Sequence, residues 1–180
     1  MKKLLKVAIG GVVIILLGCA GLYGWGSTLD PHHELDAERA MEATVAQLQP
    51  QLHTYDGVVD WWTLAAEDFP GGDGWVIAHT DGPEDDVGLE LEFQVAGTTA
   101  ETWTLLSSAP GEVVWHVDFG VFQVTRTFTL VDEGDGSTMT WHDAADFQHP
   151  LARLLTLSDG ASQINNFQMA MRALDESALD

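Results

Sequence analysis

From Trp75 to Ala145 the apolar side chains recur at every second residue; beyond about residue 150 they recur at helical spacing. That change of period constrains the fold more than any other feature, because strands repeat every two residues and helices every 3.6. Runs at about 74–80, 88–97, 100–108, 112–119, 121–131 and 137–145 read as strands. Turn signals separate most of them, at Asp81-Gly82-Pro83, Ala109-Pro110-Gly111 and Glu133-Gly134-Asp135-Gly136. Short spacing with local turns implies an antiparallel meander. Ile164, Phe167, Met171, Leu174 and Ala178 then form one stripe of a closing helix, preceded by a shorter apolar helix at about Leu151–Leu157. Sheet first and long helix last predicts an α+β domain with the helix packed on one sheet face.

Upstream of the meander, Leu35, Ala37, Arg39 and Met41 alternate like a strand, while Met41, Val45, Leu48 and Leu52 fit a helix. Thr44-x-x-Gln47 reads as a capping box, which places a strand at about 33–42 and a helix from Val45. Pro50 should end or kink that helix. Trp61-Trp62 follows, then an irregular stretch through Pro70–Gly74.

Strand parity selects an inward face. It carries Leu89, Leu91, Phe93 and Val95, then Trp103 and Leu105, then Val113, Trp115, Val117 and Phe119. Phe122, Val124, Arg126, Phe128 and Leu130 continue it, followed by Met139, Trp141 and Asp143. The opposite parity is largely Thr, Glu, His and Gln, as a solvated face should be. Turn lengths give the register. A four-residue turn at 133–136 sets Asp132 against Ser137, and counting back sets Phe128 against Trp141 and Arg126 against Asp143. A two-residue turn at Gly120-Val121 sets Phe119 against Phe122, Val117 against Val124 and Trp115 against Arg126. Arg126 thus falls on the apolar face between a tryptophan and an aspartate, close enough to stack on one and bond the other. One reading is a polar anchor for the polar end of a ligand in an apolar cavity. The competing reading is a structural buried pair, or a pair at the open end of the sheet facing solvent.

Several of these features together resemble one family. They are the first strand, the short helix, Trp61-Trp62, the six-strand meander, the run Gly136-Ser137-Thr138-Met139-Thr140-Trp141 and the closing amphipathic helix. Over about residues 33–178 the chain is similar to the START-like, polyketide cyclase/dehydrase-type (SRPBCC) superfamily, the helix-grip fold. Trp61 or Trp62 matches the family's tryptophan after the first helices, and Gly136-Ser137-Thr138 approximates its Gly-Thr-like start to the last strand. Where the family usually has a proline near the start of its first helix, this chain has Thr44-Val45. The resemblance implies an apolar cavity between sheet and C-terminal helix. Most members bind hydrophobic small molecules and a minority catalyse, with no universal catalytic residue. The cavity candidates are Trp103, Trp115, Phe119, Arg126, Phe128, Trp141, Asp143, Phe167 and Met171.

Residues 1–25 read as a membrane anchor or signal segment, 26–32 as a linker and 33–180 as the domain. Met1–Trp25 contains Lys2, Lys3 and Lys6 and no acid, and the uncharged apolar stretch Val7–Trp25 runs for 19 residues. That length suits one membrane crossing, and lysines ahead of it keep the N-terminus in the cytoplasm and the domain outside. A cleaved signal peptide and a lipoprotein signal compete with it. Leu16-Leu17-Gly18-Cys19 resembles a lipobox, with lipidation at Cys19, although Ala20–Trp25 stays apolar. A single cysteine permits no intramolecular disulfide.

All 28 acids and only four arginines, with no lysine, follow residue 25, a net charge of −24. Such a field repels nucleic acid and anionic headgroups. Loss of lysine with excess carboxylate resembles proteins of salt-loving organisms, where screening removes the self-repulsion. Neither a metal nor a cofactor is implied. The acid blocks lack EF-hand spacing, and HExxH, clustered Cys/His, G-x-S-x-G, Walker and dinucleotide glycine patterns are all missing. His32, His33, His116, His142 and His149 read as surface groups, and His79 as a residue able to reach the cavity rim. Asp143 beside a guanidinium suits a stabilising role more than that of a general acid. The sequence therefore favours a tethered binder of an apolar small molecule or lipid. A cyclase- or dehydratase-like enzyme on a polyketide-type substrate is the alternative, and an interaction module the third.

Overall fold

The computed structural model describes residues 21–67, 74–157 and 160–180. Cys19, most of the apolar run Val7–Trp25 and most of the Gly-rich stretch lie outside them. Strand β1 (His32–Met41) leads into helices α1 (Val45–His53) and α2 (Tyr55–Ala66). Then follow β2 (Trp75–Asp81), β3 (Glu90–Val95), β4 (Thr98–Ala109), β5 (Glu112–Asp118), β6 (Gln123–Asp132) and β7 (Ser137–Asp146). A 3-10 turn, Ala152–Leu157, precedes the 20-residue helix α3 (Gly160–Leu179). The strands form one antiparallel sheet in the order β1-β7-β6-β5-β4-β3-β2. The meander and its closing helix follow the period read from the sequence. Both turn-derived registers hold, with Arg126 opposite Trp115 on one side and Asp143 on the other.

Register shifts interrupt the pairing in β2–β3, β3–β4 and β4–β5. Such bulges raise twist and bend strands, which lets a meander curl around a helix. The inward face then meets Ala170, Met171, Ala173 and Leu174 of α3, all buried. Among the described residues no helix is long and apolar enough to cross a membrane.

Two departures concern the helices. Pro50 lies inside α1, and the helix continues through it to His53. Loss of one N–H is tolerated because the end of α1 is held from outside: Trp61 Nε1 donates to the Gln51 carbonyl and Trp115 Nε1 to the Leu52 carbonyl, each at 2.9 Å. The Trp61-Trp62 segment is itself helical, within α2. Thr54 accepts from the Gly57 N–H at 3.1 Å as its N-cap, and Val58, Trp61, Trp62 and Ala65 bury one side.

The Gly136-Ser137 pair has a structural cause. A side chain at Gly136 would meet the Met41 carbonyl oxygen at 2.5 Å. The Ser137 hydroxyl donates to the Ala43 carbonyl at 2.7 Å. From α3, the buried Asp175 accepts the N–H groups of Glu42 and Ala43 at 3.0 and 2.9 Å. The β1–α1 corner is thus clamped by β7 and by the C-terminal part of α3.

Candidate functional site

The site forms where the inward face carries its few charges. Arg126 on β6 is 5 % exposed. It donates through Nε and Nη2 to the two oxygens of Asp143 at 2.9 and 2.8 Å, a bidentate pair with the planarity the guanidinium favours. Trp141 Nε1 donates to the same Asp143 oxygen, Oδ1, at 2.8 Å. The guanidinium carbon lies 4.6 Å from the ring centre of Trp103 and 4.6 Å from that of Trp141. Cation–π contact on both indoles recovers part of what the charge loses on leaving water. Phe167 of α3 stacks on Trp141 at 4.6 Å and 9°.

Register alone points to Trp115 as the stacking partner; the indoles that stack are Trp103 and Trp141. Trp115 turns its ring toward α1, where its N–H finds the Leu52 carbonyl. A buried indole N–H needs an acceptor, and the frayed end of α1 supplies one.

Beside the stack a cleft opens between the sheet and the N-terminal half of α3. One lobe, about 260 Å³, is lined by His33, Phe119, Phe122, Arg126, Asp143 and Phe147, among others. The other, about 350 Å³, is lined by Trp62, Trp75, Glu101, Arg126, Trp141 and Ala170, among others. Phe119, Arg126, Asn166 and Phe167 border both lobes. The walls are mainly aromatic, with a few polar groups at their junction, the usual composition of a small-molecule site.

Glu101 belongs to this site and was not among the residues singled out from the sequence. It shares the parity of Trp103 and Leu105 on β4 and is 5 % exposed. Burial pushes its carboxyl above the ordinary carboxylate range; Arg126 and the nearby Trp103 N–H pull the other way, and Asp143 adds to the rise. The Trp103 N–H nonetheless falls short of hydrogen-bond geometry with any acceptor. On Arg126, burial pushes downward, but Asp143 through its charge and hydrogen bonds, together with Glu101, outweighs it, and the net direction is upward.

The remaining sequence-derived candidates divide by position. Phe119, Arg126 and Phe167 border both lobes, Asp143 the first and Trp141 the second. Trp103, Trp115, Phe128 and Met171 are fully buried core residues behind those walls. His142 pairs with Asp36 at 2.7 Å on the outer face, and His116 lies beyond the intervening β6. His79 makes ring-nitrogen contacts of 3.0 and 2.9 Å with the Asp81 and Gly82 carbonyls, so it serves the β2–β3 turn and not the rim. Among the described residues no group of three His, Cys, Asp or Glu could hold a metal ion.

No protein-family model matches the chain, and no curated protein sequence matches it. Solved structures do. The chain is similar to the major latex-like protein 151 of Panax ginseng, with a TM-score of 0.62, 12 % identity, and coverage of 84 % of this chain and 100 % of that one. Ara h 8.0201 gives a TM-score of 0.58 at 14 % identity, over 82 % of this chain and 98 % of that one. A protein from Chromobacterium violaceum gives 0.58 at 14 % identity, over 79 % and 94 %. Likeness at these identities establishes the fold, an α+β helix-grip domain with a seven-stranded sheet and a C-terminal helix.

Proposed function

We propose that the chain is a binding domain for an apolar small molecule or lipid, tethered to a membrane through its N-terminal segment and held on the extracytoplasmic side. The observation that carries the binding reading is the aromatic cleft beside α3, with the Arg126–Asp143 pair at the junction of its lobes. Burying a bidentate ion pair is no gain in stability over an apolar pair of similar volume. A pair kept at a cavity wall is more useful as a fixed anchor for a ligand's polar end. Extraction of the purified full-length protein with organic solvent, followed by mass spectrometry, should release an apolar compound. A preparation that carries none, and binds no apolar dye in the cleft, would count against the reading.

The tether is supported by Val7–Trp25 and by where the chain enters the domain. Arg153 donates to the Phe147 carbonyl at 2.9 Å and the Leu29 carbonyl at 3.3 Å, and Tyr23 meets His149 edge-on at 5.9 Å. Phe147 borders the first lobe, so the entering segment lies beside the cleft. That placement supports a mouth turned toward lipid, with the charge of −24 keeping the rest of the domain off anionic headgroups. Intact-mass measurement of membrane-extracted protein distinguishes an uncleaved helix from a lipidated Cys19.

A second reading, a cyclase- or dehydratase-like enzyme, is favoured by one observation: Glu101, Arg126 and Asp143 are three ionisable groups on one cleft. Under it, Arg126→Met abolishes turnover of a polyketide-type substrate; under the binding reading the same change only weakens affinity.

A further inference from the structure

Glu101 is the cleft residue whose own fold gives it nothing to do. It is an acid on the second lobe, more than nine-tenths buried. No ion pair within 4.0 Å reaches it among the described residues, and the nearby donor, the Trp103 N–H, falls short of hydrogen-bond geometry. Its nearest cation is already compensated, since Asp143 takes Arg126 in a bidentate pair. One guanidinium and two carboxylates would leave a buried negative charge without a partner, which proteins avoid by neutralising the group. A neutral carboxyl has a donor O–H as well as acceptor oxygens.

The neighbouring cation is a donor too. Arg126 uses two of its five N–H bonds on Asp143 and borders the same lobe. The surrounding wall is Trp62, Trp75 and Trp141. A lobe of about 350 Å³ accommodates a two-ring aromatic body. We infer that Glu101 donates a hydrogen bond to an uncharged oxygen acceptor on the bound molecule, a ketone or ester carbonyl, with the free edge of Arg126 as second donor. This deepens the binding reading and rests on it. Selectivity then runs against hydrocarbons, which leave the donors unmet, and against protonated amines, whose positive charge meets that of the guanidinium.

The test uses the full-length chain in detergent, with empty micelles as the reference, and three probes that share a naphthalene body: 2-acetylnaphthalene, 2-ethylnaphthalene and 2-naphthylethylamine. Calorimetry should give the ketone about 10-fold tighter binding than the hydrocarbon, the scale of one buried hydrogen bond. Glu101→Leu should remove most of that preference by weakening the ketone and tightening the hydrocarbon, whose retained binding also reports an intact cleft. Glu101→Gln, whose amide still donates, should keep it. The carbonyl stretch of bound ketone should lie below its value in hexane and return toward it in Glu101→Leu. A ketone preference that survives Glu101→Leu overturns the assignment, as does tightest binding by the amine with loss in Glu101→Gln. Equal binding of ketone and hydrocarbon sinks the donor role alone. Failure of both neutral probes to bind sinks the cleft reading, and this inference with it.

Discussion

The two ends of the space between sheet and α3 are built from the same kinds of side chain but to different standards. At the α1 end the rings of Trp61 and Trp115 are enclosed and both of their N–H groups are placed. Trp61 and Trp115 bond the last carbonyls of α1, and Asp175 and Ser137 hold the β1–α1 corner. At the other end Phe119, Phe122 and Phe167 are only partly buried, and a carboxyl and an arginine border a cleft. The first end is packed as a protein interior must be, and the second gives up that packing to leave room. The aromatic content of a β meander does not tell core from cavity. What does is how completely the rings are enclosed: Trp61 and Trp115 are shut in, whereas Phe119, Phe122 and Phe167 are only partly buried.

That contrast can be broken at the packed end first. Trp115→Ala should cost about 3–5 kcal/mol, from the lost ring and the freed Leu52 carbonyl, read as a lower denaturant midpoint. A shift below 1 kcal/mol would mean this end is also loosely packed. Asp143→Ala should cost nearly as much, about 3–5 kcal/mol, because Arg126 is left buried and unpaired. The double change Arg126→Met with Asp143→Leu should recover most of that loss in the same measurement and reduce, without abolishing, polar discrimination by the cleft. At the open end, Phe122→Ala should cost only about 1 kcal/mol, since the ring is partly exposed, while weakening uptake of an apolar dye. An equal effect of Phe122 and Trp115 on stability would erase the distinction between the ends.

The smallest effect concerns acidity. Glu101 has its carboxyl raised in the folded state, chiefly by burial. Its protonated form is therefore favoured by folding. Its contribution to stability is complete below the ordinary glutamate value of 4.5 and declines as pH rises from there through the raised folded value. Melting temperatures of wild type and Glu101→Gln should converge at low pH and separate above it, with the variant gaining. Parallel curves would show that Glu101 titrates as an ordinary surface acid.

How much of this is legible in the chain depends on what each element responds to. The register of Arg126 against Asp143 is readable because two turns of countable length carry it, and local hydrogen bonding enforces it. The choice of Trp103 and Trp141 over Trp115 is not readable, because it is made by an acceptor on α1 that lies 63 residues away in sequence. Helix α2 leaves a signal in Thr54 and the spacing of Val58, Trp61, Trp62 and Ala65, masked by a glycine and a proline nearby. Glu101 has the right parity for the inward face, yet one acid ahead of Trp103 reads as the solvated start of a strand. Only the packing of α2 and α3 over it makes it a cavity residue.

The clamp at Asp175 also sets how the cleft can change shape. It fastens α3 near its C-terminal end to a corner that β7 also holds, and Gln168 ties the helix a second time by donating to the Glu38 carbonyl at 2.9 Å. Asn166 lies nine residues up the helix from the clamp, about 13 Å at the usual rise per residue, and ahead of both ties. Any widening of the mouth is therefore confined to the turns of α3 ahead of Gln168, with the tryptophans of the packed end left in their seats.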